Sequence, residues 1–170
     1  MPRHRPHRAH IEQWHAHADQ HGDQQQPLRP GQPLGQRQRD ERVEAERNLR
    51  AGGVVWYAPD QDYGAQRSVF VPLFGVPAAT VTATSKFARL GKARVIPFTQ
   101  QRLPDGQGYR VVVHPPLADF PGDSEEADCL RINQWVEQAI SACPEQYLWA
   151  HRRFKTRPPG EAKLYKKHHR

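Results

Sequence analysis

Residues 53–64 read GVVWYAPDQDYG, an apolar run that stops at Pro59 and then presents Asp60, Gln61 and Asp62 together. Two carboxylates and an amide are thereby delivered together at the end of what reads as a buried strand. In α/β sheets chemistry collects at strand C-termini, because the loops there lie along one rim of the scaffold. A solvated turn, with Asp62 capping a local bend, is the commoner fate of an isolated tripeptide of this kind. No Gly-rich phosphate loop, Ser nucleophile elbow or Cys–His pairing accompanies it.

A second group lies at 147–160, YLWAHRRFKTRPPG, where Arg152, Arg153, Lys155 and Arg157 interleave with Trp149 and Phe154. Guanidinium forks grip phosphate oxygens while aromatic rings anchor the segment. Nucleic-acid binding uses the same physics, but no recognised nucleic-acid motif supports it here. A solvated basic tail is the plainest reading of such a run, and it leaves Trp149 and Phe154 without a purpose. A third stretch, FVPLFGVPAAT at 70–80, reads as apolar packing beside a helix start and could equally admit a fatty chain.

The charge is distributed to match. Residues 1–50 carry a net charge of +2, residues 51–146 a net −2, and residues 147–170 a net +7. The C-terminal segment therefore accounts for the whole formal excess, and it calls for an anionic partner: phosphate, nucleic acid or a membrane surface. No run approaches the ~18 to 20 apolar residues that cross a bilayer, and the basic N-terminus lacks the apolar region of a signal peptide. Cys129 and Cys143 fit neither a disulfide framework nor a zinc cluster and read as small buried residues in a helix.

These groups need elements to hold them. Residues 1–47 are rich in His, Gln, Arg, Pro and Gly and too poor in apolar residues to offset chain entropy, so disorder is expected, with a helical turn near 38–50. Six histidines fall there (His4, His7, His10, His15, His17, His21), but their spacing drifts, which fits adventitious rather than structural metal binding. From 48 onward the pattern predicts a buried strand at Gly53–Ala58, an extended piece at Val69–Val71 and a helix from Pro77 to about Gly91. It then predicts strands at Ala93–Thr99 and Tyr109–His114, separated by the turn Pro104-Asp105-Gly106. After a loop at 115–123, Asp123 stands three residues before Glu126 in a capping-box spacing, and Ile132, Trp135, Val136, Ala139, Ile140 and Cys143 form one helical stripe. The order argues for an α/β layered domain, a mixed sheet with packing helices.

Read in order, WYAPDQDYG (56–64), FVPLFGVPAATVTATSKFARL (70–90), RVIPFTQQR (94–102), HPPLADFPG (114–122) and QYLWAHRRFKTRPPG (146–160) resemble lipid A biosynthesis lauroyl acyltransferases of the lysophospholipid-acyltransferase-like superfamily. The resemblance covers 48–170 and implies the C-terminal portion of an acyltransferase-type α/β domain, truncated, with a basic tail at 147–170 and a disordered leader at 1–47. It implies transfer of a lauroyl-like chain from an acyl carrier protein thioester to a Kdo-bearing lipid A precursor. The setting it implies is the cytoplasmic face of the bacterial inner membrane, with no metal, no organic cofactor and no nucleic acid. It also implies that Asp60, Gln61 and Asp62 position the acceptor, that 95–99 lines the site, and that Arg152, Arg153, Lys155 and, more weakly, Arg67 meet phosphates.

The family's catalytic His-x4-Asp/Glu motif, in which His is the general base, precedes these motifs. Here His7…Glu12 satisfies that spacing, inside the His-rich tract and with no apolar strand before it. The expectation is therefore a chain without the catalytic pair and without the family's membrane anchor, inactive alone and poorly soluble because a sheet edge and an apolar face lack partners. A frameshifted or misplaced start, joined near Arg47–Arg50, would produce such a leader. Two other functions stay open: a small basic nucleic-acid-binding protein, and a non-catalytic fragment that binds anionic lipid.

Overall fold

The computed structural model describes residues 34–165, with side chains from 42 onward. The chain divides into two compact units, 1–37 and 38–170. Of the first, only the opening turn of helix α1 (Leu34–Arg50) is among the described residues. That helix covers the turn expected at 38–50 and extends it toward the N-terminus; the rest of the leader, with His7, Glu12 and the other clustered histidines, lies outside the described residues. The α1 C-terminus carries Arg47 and Arg50, cations that suit the negative end of the helix dipole. Asn48 then donates its amide to the Val54 carbonyl at 2.9 Å and ties the helix to the 53–58 segment.

The α/β class is as the sequence implies, and the strands pair as two antiparallel hairpins. Strand β1 (Ser68–Leu73) pairs with β2 (Val76–Val81), and β3 (Phe98–Arg102) with β4 (Tyr109–Val113). The helix expected from Pro77 is a strand in its first five residues. Val76, Thr80 and Val81 are β-branched, and Phe74-Gly75 supplies two successive left-handed residues (φ 50° and 74°), the geometry of a tight hairpin turn. Pro72 and Pro77 face each other one pair beyond the turn, where the antiparallel ladder asks for no N–H, so neither proline costs a bond. Helix α2 (Ala83–Gly91) then begins after Thr82 and ends on Lys92 in the left-handed region.

The strand expected at Gly53–Ala58 forms no ladder with another strand among the described residues. Val54 and Trp56 are exposed while Val55 and Tyr57 turn inward, the alternation of a half-buried strand without a ladder partner. Ala93–Pro97 forms no regular strand, although Pro97 O and Val95 O accept the His114 and Leu117 N–H groups at 2.9 Å, and β3 starts only after Pro97, which donates no N–H. Helix α3 (Glu125–Ala142) is capped by Ser124, whose hydroxyl accepts the Ala127 N–H at 3.3 Å, one residue later than the expected Asp123. Its stripe seats Ile132, Val136 and Ile140 against Leu73 and Ala78 of the first hairpin, with Trp135 and Phe154 packed at the margin. Cys129 is buried on this stripe, while Cys143 is only half-buried at the helix end.

Candidate functional site

An apolar cleft of about 190 Å³ opens between the unpaired 55–59 segment, α2, the 93–98 segment and α3. Phe87 and Ala88 of α2 and Ile132, Trp135 and Val136 of α3 form its walls, and Leu49 closes one end. Tyr57 lines it too, edge-on to Phe87 at 6.1 Å, with its hydroxyl bonded to Thr84. Burial pushes the Tyr57 phenol up to about 12, against a smaller lowering by the Thr84 bond. Gly91 keeps the cleft's end tight, since a Cβ there would sit 2.7 Å from Leu49 Cβ.

The cleft's rim runs directly into the polar motif. Pro59 lines the cleft, and Asp62, three residues on, is at most ~10 Å further along the chain. Asp62 is buried, 3% exposed. It accepts the Thr156 N–H at 2.9 Å, the Thr156 hydroxyl at 2.8 Å and the Gly64 N–H at 2.9 Å, while its own N–H donates to His151 Nε2 at 3.3 Å. Its carboxylate therefore clasps the C-terminal segment to the 60–64 turn. Asp60 lies beside the Tyr147 hydroxyl, which burial and then the Asp60 charge hold well above the usual phenol range. Gln61 is exposed and accepts from the Tyr63 hydroxyl at 2.7 Å.

The basic residues divide by direction. Arg153 is 2% exposed and donates to Ala79 O at 2.7 Å and to Thr80 Oγ1 at 2.9 Å. Arg157 donates to Pro77 O at 2.6 Å and pairs with Glu161. Residues 77 and 79 belong to the pairs whose carbonyls point off the hairpin, so two arginines occupy bonds that a further strand would otherwise make. Desolvation lowers the Arg153 pKa, partly offset by Tyr147, Asp62 and Asp60 nearby. Arg152, Lys155 and Arg67 are exposed, so they and not Arg153 have side chains free for a ligand.

Several buried polar residues escape sequence reasoning. Asn133 is buried in the α3 stripe and donates to Pro72 O at 2.9 Å and Thr80 Oγ1 at 3.0 Å, linking helix, hairpin and Arg153. Asp128, also buried, accepts the Gly122 N–H at 2.8 Å and meets Arg89 at 3.4 Å. Polar residues at stripe positions are the signal that could have found both, because buried polar groups need partners. A second His-x4-Asp spacing, missed in the same way, is His114…Asp119. His114 Nε2 is shared with Thr99 Oγ1 at 3.2 Å and its ring stands edge-on to Trp135, while Asp119 gives only its backbone carbonyl to Arg131. No hydrogen bond joins His114 to Asp119, so the spacing is not a catalytic pair here. Among the described residues, no cluster of three or more metal-ligating side chains occurs, and no helix is long and apolar enough to cross a membrane.

The structure thus defines a small α/β protein in which one segment joins an apolar cleft to a basic turn. Residues 38–156 match the family of bacterial lipid A biosynthesis acyltransferases, and the chain belongs to that family. It is 51% identical over 118 residues to the lipid A biosynthesis lauroyltransferase of Escherichia coli K12, covering 69% of this chain and 39% of the relative. It is 45% identical over 118 residues to the palmitoleoyltransferase of the same organism, covering 69% and 38%, and 35% identical over 122 residues to its myristoyltransferase, covering 71% and 37%. The chain therefore spans well under half the length of these relatives.

Proposed function

We propose that this chain is the acyl-holding and acceptor-holding part of an enzyme that moves a lauroyl-like chain from an acyl carrier protein thioester to a Kdo-bearing lipid A precursor. Its working place is the cytoplasmic face of the bacterial inner membrane, in lipopolysaccharide biosynthesis. The observation that carries this reading is the continuity of cleft and turn. The 55–62 segment lines an apolar cleft at one end and clasps a cation-bearing turn at the other, which suits an amphiphile with a fatty chain and a phosphorylated head. The names of the relatives, lipid A biosynthesis lauroyltransferase and palmitoleoyltransferase, support a fatty acyl chain and a lipid A-type acceptor.

Exposure supports the following residue roles. Arg152, Lys155 and Arg67 meet phosphates, each contributing ~1 kcal/mol near an anionic surface. Asp60 and Gln61 face the acceptor, while Asp62 and Arg153 hold the turn from inside. Proton abstraction from the acceptor hydroxyl needs a base within hydrogen-bond reach of it, oriented by a partner. The described residues contain no His bonded to a carboxylate side chain, so we propose that the chain retains the precursor without transferring acyl groups by itself.

The test is incubation with lauroyl-acyl carrier protein and the precursor, reading bound precursor and product mass. Retained, unmodified precursor is the expected result. Product formation abolished by His7→Ala would restore His7 and Glu12 as a catalytic pair; product surviving that change makes His114 the next residue to substitute. Salt-sensitive retention of duplex DNA with no response to the precursor would favour the nucleic-acid reading instead.

A further inference from the structure

The exposed cations of the C-terminal segment are held in a built arrangement that a solvated basic tail does not need. The Lys155 N–H donates to Arg152 O at 3.2 Å, so these two residues stand at the ends of a tight turn whose middle, Arg153 and Phe154, points inward. Four-residue turns of this kind bring their end Cα atoms within ~7 Å. Tyr165 then closes on the turn from outside. Its hydroxyl accepts the Phe154 N–H at 3.2 Å, and its ring lies 5.8 Å from the Arg152 guanidinium carbon. Among the described residues, the ion pairs use Arg42, Lys86, Arg89 and Arg157, leaving Arg152 and Lys155 without a carboxylate partner.

We propose that Tyr165 is a positioning residue for recognition of a lipid-borne phosphate monoester: its ring restrains the Arg152 guanidinium on the same turn as Lys155, so that a planar fork and a point charge face one doubly charged headgroup. A guanidinium restrained by a cation–π contact loses less freedom on binding, and its fork matches two phosphate oxygens. Lysine reaches the third oxygen as a compact charge. Phosphate diesters carry one charge and offer fewer free oxygens, so the arrangement discriminates between the two. The inference rests on the proposed assignment of Arg152 and Lys155 to phosphates, but it is read by binding and not by transfer. Failure of acyl transfer leaves its readouts intact.

The experiment is co-sedimentation of the chain with phosphatidylcholine vesicles containing either phosphatidic acid, a monoester, or phosphatidylglycerol, a diester, adjusted to equal surface potential. The chain is expected to prefer the monoester vesicles. Tyr165→Leu is expected to weaken that binding about threefold, the scale of one cation–π contact, while Tyr165→Phe retains most of it. A double change with Arg152→Gln is expected to bind no worse than Arg152→Gln alone, since Tyr165 acts through Arg152. Arg152→Lys, which leaves the fold's buried bonds untouched, is expected to erase the preference for monoester over diester vesicles. Inorganic phosphate is expected to displace the chain only at millimolar concentration. Additive losses in the double variant, equal binding to both vesicles, or a monoester preference that survives Arg152→Lys each overturn the proposal. Displacement by micromolar inorganic phosphate overturns the lipid in favour of a soluble ligand, and displacement by duplex DNA overturns it in favour of nucleic acid.

Discussion

Arg153 and Arg152 are neighbours of the same type with opposite duties, and stability measurements separate them. Arg153 donates to Ala79 O and Thr80 Oγ1 in the interior, so Arg153→Ala leaves the Ala79 carbonyl without its donor and opens a void, while Thr80 Oγ1 keeps its bond from Asn133. A loss of about 2 to 4 kcal/mol in the free energy of urea unfolding is expected. Arg152→Ala and Lys155→Ala are expected to stay within about 0.5 kcal/mol of the parent, because both side chains are exposed. Equal effects at 152 and 153 would mean that the inward and outward division is wrong. Tyr57 gives a second residue-scale expectation. Its phenol is raised from 10.0 to about 12 in the folded protein, so below pH 10 it is protonated in both states and adds no pH dependence. Between pH 10 and 12 the unfolded chain releases the proton first. Stability therefore falls across that window, by roughly 2 to 3 kcal/mol in total. Urea midpoints from pH 8 to 11.5 check this, with Tyr57→Phe removing that share of the decline.

At the scale of elements, the Phe74-Gly75 turn is the place where local chemistry and fold disagree. A bulky residue at φ 50° is strained, and Phe74 is 45% exposed, so its ring recovers little by burial. Phe74→Asn suits the left-handed region and is expected to stabilise the chain by about 1 kcal/mol, measured as a raised urea midpoint. No change, or a loss, would show that the ring carries packing energy that its exposure hides. This turn also explains a misread element. VPAATVTATSKFARL looks helical from Pro77 near its start and Gly91 just past its end, and Phe74-Gly75 is not the Asn-Gly or Asp-Gly that announces a hairpin. Pairing with 68–73 overrides the helical signals of 77–81, and only the second half of the segment coils. By contrast α3 is legible in outline, because its apolar stripe has helical period. Its cap differs by one residue, since Ser124 and Asp123 are equally good N-cap types and only geometry chooses between them.

Across the whole molecule, the sequence carries the family and the α/β class, while the buried polar wiring of the candidate site stays hidden. The motif residues Asp60, Gln61 and Asp62 are legible as a group because they come directly after an apolar run. That Asp62 turns inward to hold Thr156, and that Arg153 turns inward to cap β2, depends on contacts across 94 and 74 residues of chain that no local pattern encodes. Tyr109, Val111 and Val113 of β4 are exposed, and the 53–58 segment joins no sheet among the described residues.

The central claim is that the cleft between 55–59, α2 and α3 receives the fatty chain. A lauroyl-acyl carrier protein thioester with a photoactivated diazirine at the chain's end tests it most directly, with adducts mapped by peptide mass spectrometry. The account predicts adducts on Phe87, Ile132, Trp135 or Val136, lost in competition with unlabelled thioester. Adducts concentrated on the exposed Val111 and Val113, or none that unlabelled thioester displaces, would contradict it.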